Sequence, residues 1–212
     1  MEIEYRNPAE IEKRSFAIIT EELGNRTFPE EIALVVKRVI HTTADFDYAD
    51  NLVFSNDAVS RAMNAIRNGA HIVTDTNMAK AGINKKTLAK FGGEVHCFIA
   101  EPDVAAEAKQ RNVTRSIVSM ERAAKLDVPV IFAIGNAPTA LIQLEKLIRE
   151  DGLKPELVIG VPVGFVNVVE SKELIIRSGV PHIVARGRKG GSNVAAAIVN
   201  ALLYQLVHRE GF

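Results

Sequence analysis

The sequence predicts an α/β protein in which a mainly parallel sheet lies between two layers of helices, a three-layer α/β/α sandwich. Three observations carry that reading. From Asn51 almost to the C-terminus, short apolar runs of four to seven residues, rich in Val and Ile, alternate with longer helical segments. Most of those runs lack polar alternation, as strands covered on both faces do. Parallel strands need long crossovers, and the intervening helices supply them with the usual right-handed connection.

The elements follow in order. Asn7 and Pro8 offer a cap and a first-turn proline, Gly24 closes that helix, and Pro29 opens the next. NLVF then reads as a strand, DAVSRAMNAIRNG as a helix, HIVT as a strand, NKKTLAKFGG as a helix and EVHCFIA as a strand. PDVAAEAKQR and VTRSIVSMERAAKL are helical, PVIFAIG a strand, APTALIQLEKLIREDG a helix, ELVIGVPV a strand, NVVESKELIIRSG a helix and HIVA a strand, before a final helix from about Ser192. The sheet has five or six strands, depending on NLVF. No internal repeat, low-complexity segment or linker interrupts the pattern, and 212 residues suit a single domain spanning 1–212.

Composition narrows the partners. Twenty-six basic and 26 acidic residues cancel, so no global field draws the chain to nucleic acid or anionic lipid. Cys97 is the only cysteine, which excludes an intrachain disulfide and suits a reducing compartment, so the expected location is the cytoplasm. The charged N-terminal stretch lacks the order of a secretory signal. The longest apolar region, residues 194–207, is shorter than the roughly 20 residues of a membrane span and contains Asn200 and Gln205. It reads as a buried helix or one packed on another subunit.

In such a fold ligands bind beyond the carboxyl ends of the strands, near a topological switch point. The residues to inspect are Asp75 to Asn77, Glu101 to Asp103, Gly135 and Asn136, Gly160 to Gly164, and Arg186 to Gly191. The last group, in ARGRKGGSN, joins glycines that permit close backbone approach to three cations, Arg186, Arg188 and Lys189, and to Ser192 or Asn193 as a helix cap. It suits phosphate or carboxylate, with Gly190 and Gly191 at the approach, although an ordinary strand-to-helix turn with solvated charges has the same ingredients. It fits neither GxxxxGK[ST] nor GxGxxG.

Arg38 and His41, three residues apart, share a helix face beside an apolar stripe. His41 has two readings. A histidine near pKa 6.5 is the usual proton-transfer group, and one in a last helical turn can instead bond free carbonyls. Ser15, on the Ile11, Ile18 and Glu22 side of the first helix, and Arg115, in NVTRSIVSME, are each open to a structural or surface role. His71, His96, His182 and His208 have no paired spacing with Cys, Asp or Glu, so no protein-bound metal is expected. No serine sits in GxSxG.

The ordered set RSFAIITEE, VIHTTADFDYADNL, TDTNMAKAGI, IGNAPTAL, GVPVGFVNVVESK and GRKGGSNVAAAIVNALL resembles the precorrin-8X methylmutase family, including its cobalt-precorrin-8 branch, from about residue 5 to 206. That resemblance implies a flavodoxin-like fold, a homodimer with its site near the subunit interface, and an isomerase that moves a methyl group from C11 to C12 of a late corrin intermediate in vitamin B12 biosynthesis. It implies no cofactor of the protein's own, any cobalt being carried by the tetrapyrrole substrate. By motif, His41 would be the proton donor and acceptor, with Ser15 and Arg115 near the macrocycle. Arg38, Arg186, Arg188, Lys189, Gly190 and Gly191 are added from loop and helix chemistry as substrate contacts. The competing class is a corrinoid or tetrapyrrole carrier of the same fold without chemistry. A nucleotide-binding regulator using GRKGG is the third.

Overall fold

The computed structural model describes residues 7–207. Helix α1 (Pro8–Leu23) is capped by the Asn7 side chain, which accepts from Glu10 N–H at 3.0 Å, and α2 (Glu30–Thr43) follows Pro29. A short α3 (Tyr48–Asn51) leads into β1 (Leu52–Phe54), then α4 (Ala58–Arg67) and β2 (His71–Thr74). Two short helices, α5 (Asn77–Gly82) and α6 (Lys85–Ala89), precede β3 (Val95–His96). Next come α7 (Pro102–Gln110), α8 (Arg115–Ala123), β4 (Val130–Ile134), α9 (Pro138–Asp151) and β5 (Leu157–Gly160). Helix α10 (Val168–Arg177), β6 (His182–Ala185) and α11 (Ser192–Leu206) complete the described chain.

The six strands form one sheet in the order β1-β6-β5-β4-β2-β3. All pairs are parallel except β1 with β6. The five parallel strands reproduce the flavodoxin-like order, with β1 added at one edge. Strands β4, β5 and β6 are buried along their whole length, as their unbroken apolar runs require. Side-chain alternation divides the core. Ile72, Ile131 and Ile159 face one layer with α2, α4 and α11, whereas Val73, Phe132 and Val158 face the other with α8, α9 and α10.

Two expectations change in detail. NLVF is a strand, but antiparallel and only three residues long. EVHCFIA contributes two residues of strand, because β3 has a single neighbour and the Thr74 hydroxyl donates to the His96 carbonyl at 3.2 Å, after which the chain turns. Glu101 is therefore the N-cap position of α7 and not a strand end. The apolar residues 194–206 form α11, which packs on α2 and α5 within the chain. Among the described residues no helix is long and apolar enough to cross a membrane.

Candidate active site

Helix α2 carries His41 in its last turn. Ala44, in left-handed conformation, donates its N–H to Ile40 O at 2.7 Å and so provides the cap. Helical side chains lean toward the N-terminus, which carries the His41 ring away from the last carbonyls. The ring stacks instead on Phe16 of α1, with 5.3 Å between centroids and 17° between planes. Of the two readings of His41, the helix-end one is not the geometry found.

A cavity of about 280 Å³ opens beside that ring, lined by Ser15, Ile18, Ile40, His41, Ala44 and Phe46 among others. Ser15 thus shares the cavity with His41, although its hydroxyl also donates back to Ile11 O at 2.9 Å. Arg38 follows the same face of α2 but is buried, with Nη1 donating to Glu12 Oε1 at 2.7 Å and its guanidinium 4.7 Å from the Phe16 ring centre. That geometry ties it to α1, where it acts on His41 by charge. His41 is exposed overall, but partial desolvation against its neighbours, then the Arg38 charge, push its imidazole below its ordinary range, and Glu12 pulls the other way.

The loop after β6 reaches this region from the other side. Lys189 Nζ donates to Asp45 Oδ2 and Asp47 Oδ2, each at 2.6 Å, so the acidic loop that follows His41 is tied to the GRKGG turn. These carboxylates raise the Lys189 pKa. Arg186 pairs with Glu173 at 3.0 Å. Arg188 lies over Phe165, with its guanidinium 5.5 Å from the ring centre, and forms no ion pair with any described residue.

The two glycines serve the protein's own packing. A Cβ on Gly190 would lie 2.0 Å from Val161 O, and Gly191 N–H donates to that same carbonyl at 2.9 Å. Only a residue without a side chain lets the loops after β5 and β6 meet so closely. Under the loop, Lys172 of α10 is fully buried and its ammonium donates to Gly187 O and Lys189 O, both at 2.8 Å. Burial lowers its pKa to about 8.

The switch point itself lies between β2 and β4, and a carboxylate fills it. Asp75 accepts N–H groups from Gly135, Asn136 and Ala137 at 2.9, 2.8 and 2.6 Å. Desolvation raises its pKa against the pull of those bonds. The cavity beside His41 does not include this crevice: its lining comes from α1, the end of α2 and the loop that follows. Ser192 Oγ and Thr76 Oγ1, 2.8 Å apart, join the loops after β6 and β2.

Arg115 is not brought to this group. It is exposed at the start of α8, in the helical layer opposite α2, where Thr114 caps the helix and bonds Thr139 at 3.1 Å. Sequence reasoning passed over Phe16 and Lys172. Lys172 left a signal, since it sits in the buried stripe Val168, Ser171, Lys172, Ile175. His71, Glu94 and His96 also converge, an arrangement that linear spacing does not reveal, and His208 lies outside the described residues.

The family model described as "Precorrin-8X methylmutase" matches residues 10–205. The chain belongs to the precorrin-8X methylmutase family. It is 49% identical over 195 residues to the cobalt-precorrin-8 methylmutase of Priestia megaterium, covering 92% of this chain and 87% of that one. The enzyme of the same name from Salmonella typhimurium is 47% identical, with 95% and 97% covered. The crystal structure of precorrin-8x methyl mutase from Thermus thermophilus superposes with a TM-score of 0.86 at 40% identity, over 93% of this chain and 98% of that one. As a methylmutase, the chain is an isomerase, and the flavodoxin-like order of its parallel strands is the family's fold.

Proposed function

We propose that this methylmutase moves the C11 methyl group of a late corrin intermediate to C12, with His41 as the proton donor and acceptor. The observation that carries the catalytic reading is the placement of His41: held by Phe16, tuned by Arg38 and open to an apolar cavity that Ser15 also lines. The C11–methyl bond breaks as the C12–methyl bond forms, so no atom is gained or lost and no redox partner is called for. Protonation of the conjugated ring by His41 makes it more electron-poor and eases a suprafacial 1,5 shift. General acid help of this kind is worth about 10²–10⁴-fold.

The substrate is a tetrapyrrole fringed by carboxylates. Arg188 and the adjoining loop offer cationic recognition at the rim, while Ile18, Ile40 and Phe46 give the cavity apolar walls. The cobalt form is the preferred substrate on this reading, because the more similar relatives, from Priestia megaterium and Salmonella typhimurium, carry the name cobalt-precorrin-8 methylmutase, whereas the Thermus thermophilus structure at 40% identity carries the name precorrin-8x methyl mutase. Cobalt enters within the ring, and the reaction asks for no cofactor of the protein's own.

A cavity of about 280 Å³ is small for a whole macrocycle. Phe165, Val166 and Met78, at 83%, 77% and 72% exposure, leave apolar surface uncovered. Both observations support a homodimer that covers such surface and completes the site, with Arg115 supplied by the partner copy. A cytoplasmic location, with neither nucleic acid nor membrane as partner, belongs to the same proposal.

The test is turnover of precorrin-8X and cobalt-precorrin-8, followed by visible absorption and product mass. Conversion at unchanged mass supports the mutase. Tight binding without spectral conversion of either form would favour the carrier and leave His41 a contact only.

A further inference from the structure

We propose that His71, Glu94 and His96 form a site for a divalent transition metal of the zinc class, which clamps the edge strand β3 onto β2. The proposal is independent of the methylmutase chemistry. The parallel register Ile72↔Val95 and Val73↔His96 sets His71 beside Glu94 and brings His96 to the next position on the same face. Ile72 N–H donates to Glu94 O at 2.8 Å, which fixes that rung. His71 Nδ1 and His96 Nε2 then lie 2.7 Å apart, and one ligand atom from each of the three residues falls within 4.8 Å of the others. Among the described residues it is the only such group.

The donor set is two imidazoles and a carboxylate, which suits a four-coordinate ion whose last position takes water. Metal–nitrogen bonds of about 2.0–2.1 Å at a tetrahedral angle separate the nitrogens by about 3.3 Å, so the two rings need to part by roughly 0.6 Å. Small side-chain rotations achieve that at a sheet edge, and Glu94 is exposed and able to follow. The shared N–H of the imidazole pair moves to the outer nitrogen of its ring, leaving both rings neutral as ligands must be.

The surroundings are ordered. His96 stacks on Phe98 at 5.9 Å and 11°, and Arg122 lies over Phe98 at 5.9 Å. His71 alternates with Ile72 and so lies on the face of Val73, across the sheet from the layer that carries α2 and His41. A metal here would not meet the macrocycle. Its mechanical consequence is specific, because β3 pairs with β2 through two residue pairs and has no other neighbour.

The experiment titrates the chelator-stripped full chain with zinc chloride in a calorimeter and with cobalt(II) chloride as a visible probe. The expected result is one saturable equivalent, visible bands typical of tetrahedral cobalt(II), and a thermal midpoint that rises with zinc. Loss of an outer-shell partner of a metal ligand costs about 10- to 100-fold, so Glu94→Gln and His96→Asn should each weaken binding at least tenfold and abolish the thermal shift. Glu94 is exposed, so its variant tests the site even where the histidine variant folds poorly. Absence of saturable binding, or binding and thermal shift unchanged by Glu94→Gln, would overturn the proposal and leave a hydrogen-bonded histidine pair.

Discussion

His41 and Phe16 stack with 5.3 Å between ring centroids, and the same phenyl ring carries the Arg38 guanidinium at 4.7 Å. One side chain from α1 therefore contacts both His41 and the Arg38 charge that, after desolvation, lowers the His41 pKa. Glu12, also on α1, balances Arg38. The His41 imidazole is thus tuned by the packing of two helices and not by its own helix alone.

Replacing His41 by Ala should lower turnover by about 10²–10⁴-fold, the usual worth of a positioned acid. The lost stack is worth only about 0.5–1.5 kcal/mol, so the fold should survive. Turnover followed by visible absorption, beside a thermal melt, checks both. Wild-type turnover in a folded His41→Ala protein would remove the residue from the mechanism.

The pH dependence has a definite sign. The folded pKa of His41 is lowered, so the protonated acid accumulates only below the ordinary value of about 6.5, and kcat/KM should rise as pH falls through that region. The contribution of this group to stability runs the other way: it is complete above pH 6.5 and lost as pH falls toward the depressed pKa. Arg38→Gln removes a lowering charge and should move the His41 titration, read by NMR, upward. A downward or absent shift would contradict the assignment of Arg38 as its tuner.

Lys172 gives a second pH signature. With its pKa lowered from 10.5 to about 8, the unfolded chain binds more protons between those values and stability should increase as pH rises through them. Lys172→Met should remove that rise. It also strips the partner from Gly187 O and Lys189 O, at about 1–3 kcal/mol for each acceptor left buried and unpaired. Denaturant melts at pH 7 and pH 9 would show the loss.

The loop glycines should differ sharply under one substitution. Gly190→Ala drives a Cβ to 2.0 Å from Val161 O, a backbone atom that cannot swing aside, and should cost more than about 3 kcal/mol, the upper end of ordinary overpacking. Gly187 has φ +77° with nothing within 4 Å of its added Cβ, so Gly187→Ala should cost only the roughly 1–2 kcal/mol of a left-handed residue. Equal losses in thermal midpoint would refute this account of loop contact.

Several elements were legible because they depend on neighbours in sequence. Asn7-Pro8 capped a helix where expected, and VIFAI is a fully buried strand, since local sterics and unbroken apolar character decide such segments. EVHCFIA was over-read: strand length depends on a partner's reach, and β3 has only β2. The cations of GRKGG were legible as charges, but the carboxylates that take Lys189 lie more than 140 positions away in the chain.

The sequence by itself determined the α/β alternation, the neutral charge balance, the ordered family motifs and the candidacy of His41, because each is written in residue type and short-range order. Only the tertiary structure decided that His41 turns to Phe16, that Arg38 is tied to Glu12, that Asp75 fills the switch point and that Arg115 lies in the opposite layer. The physical reason is that hydrogen bonds, ring stacks and charge pairing act over a few ångströms of space, and crossovers in a parallel sheet set which distant segments share those ångströms.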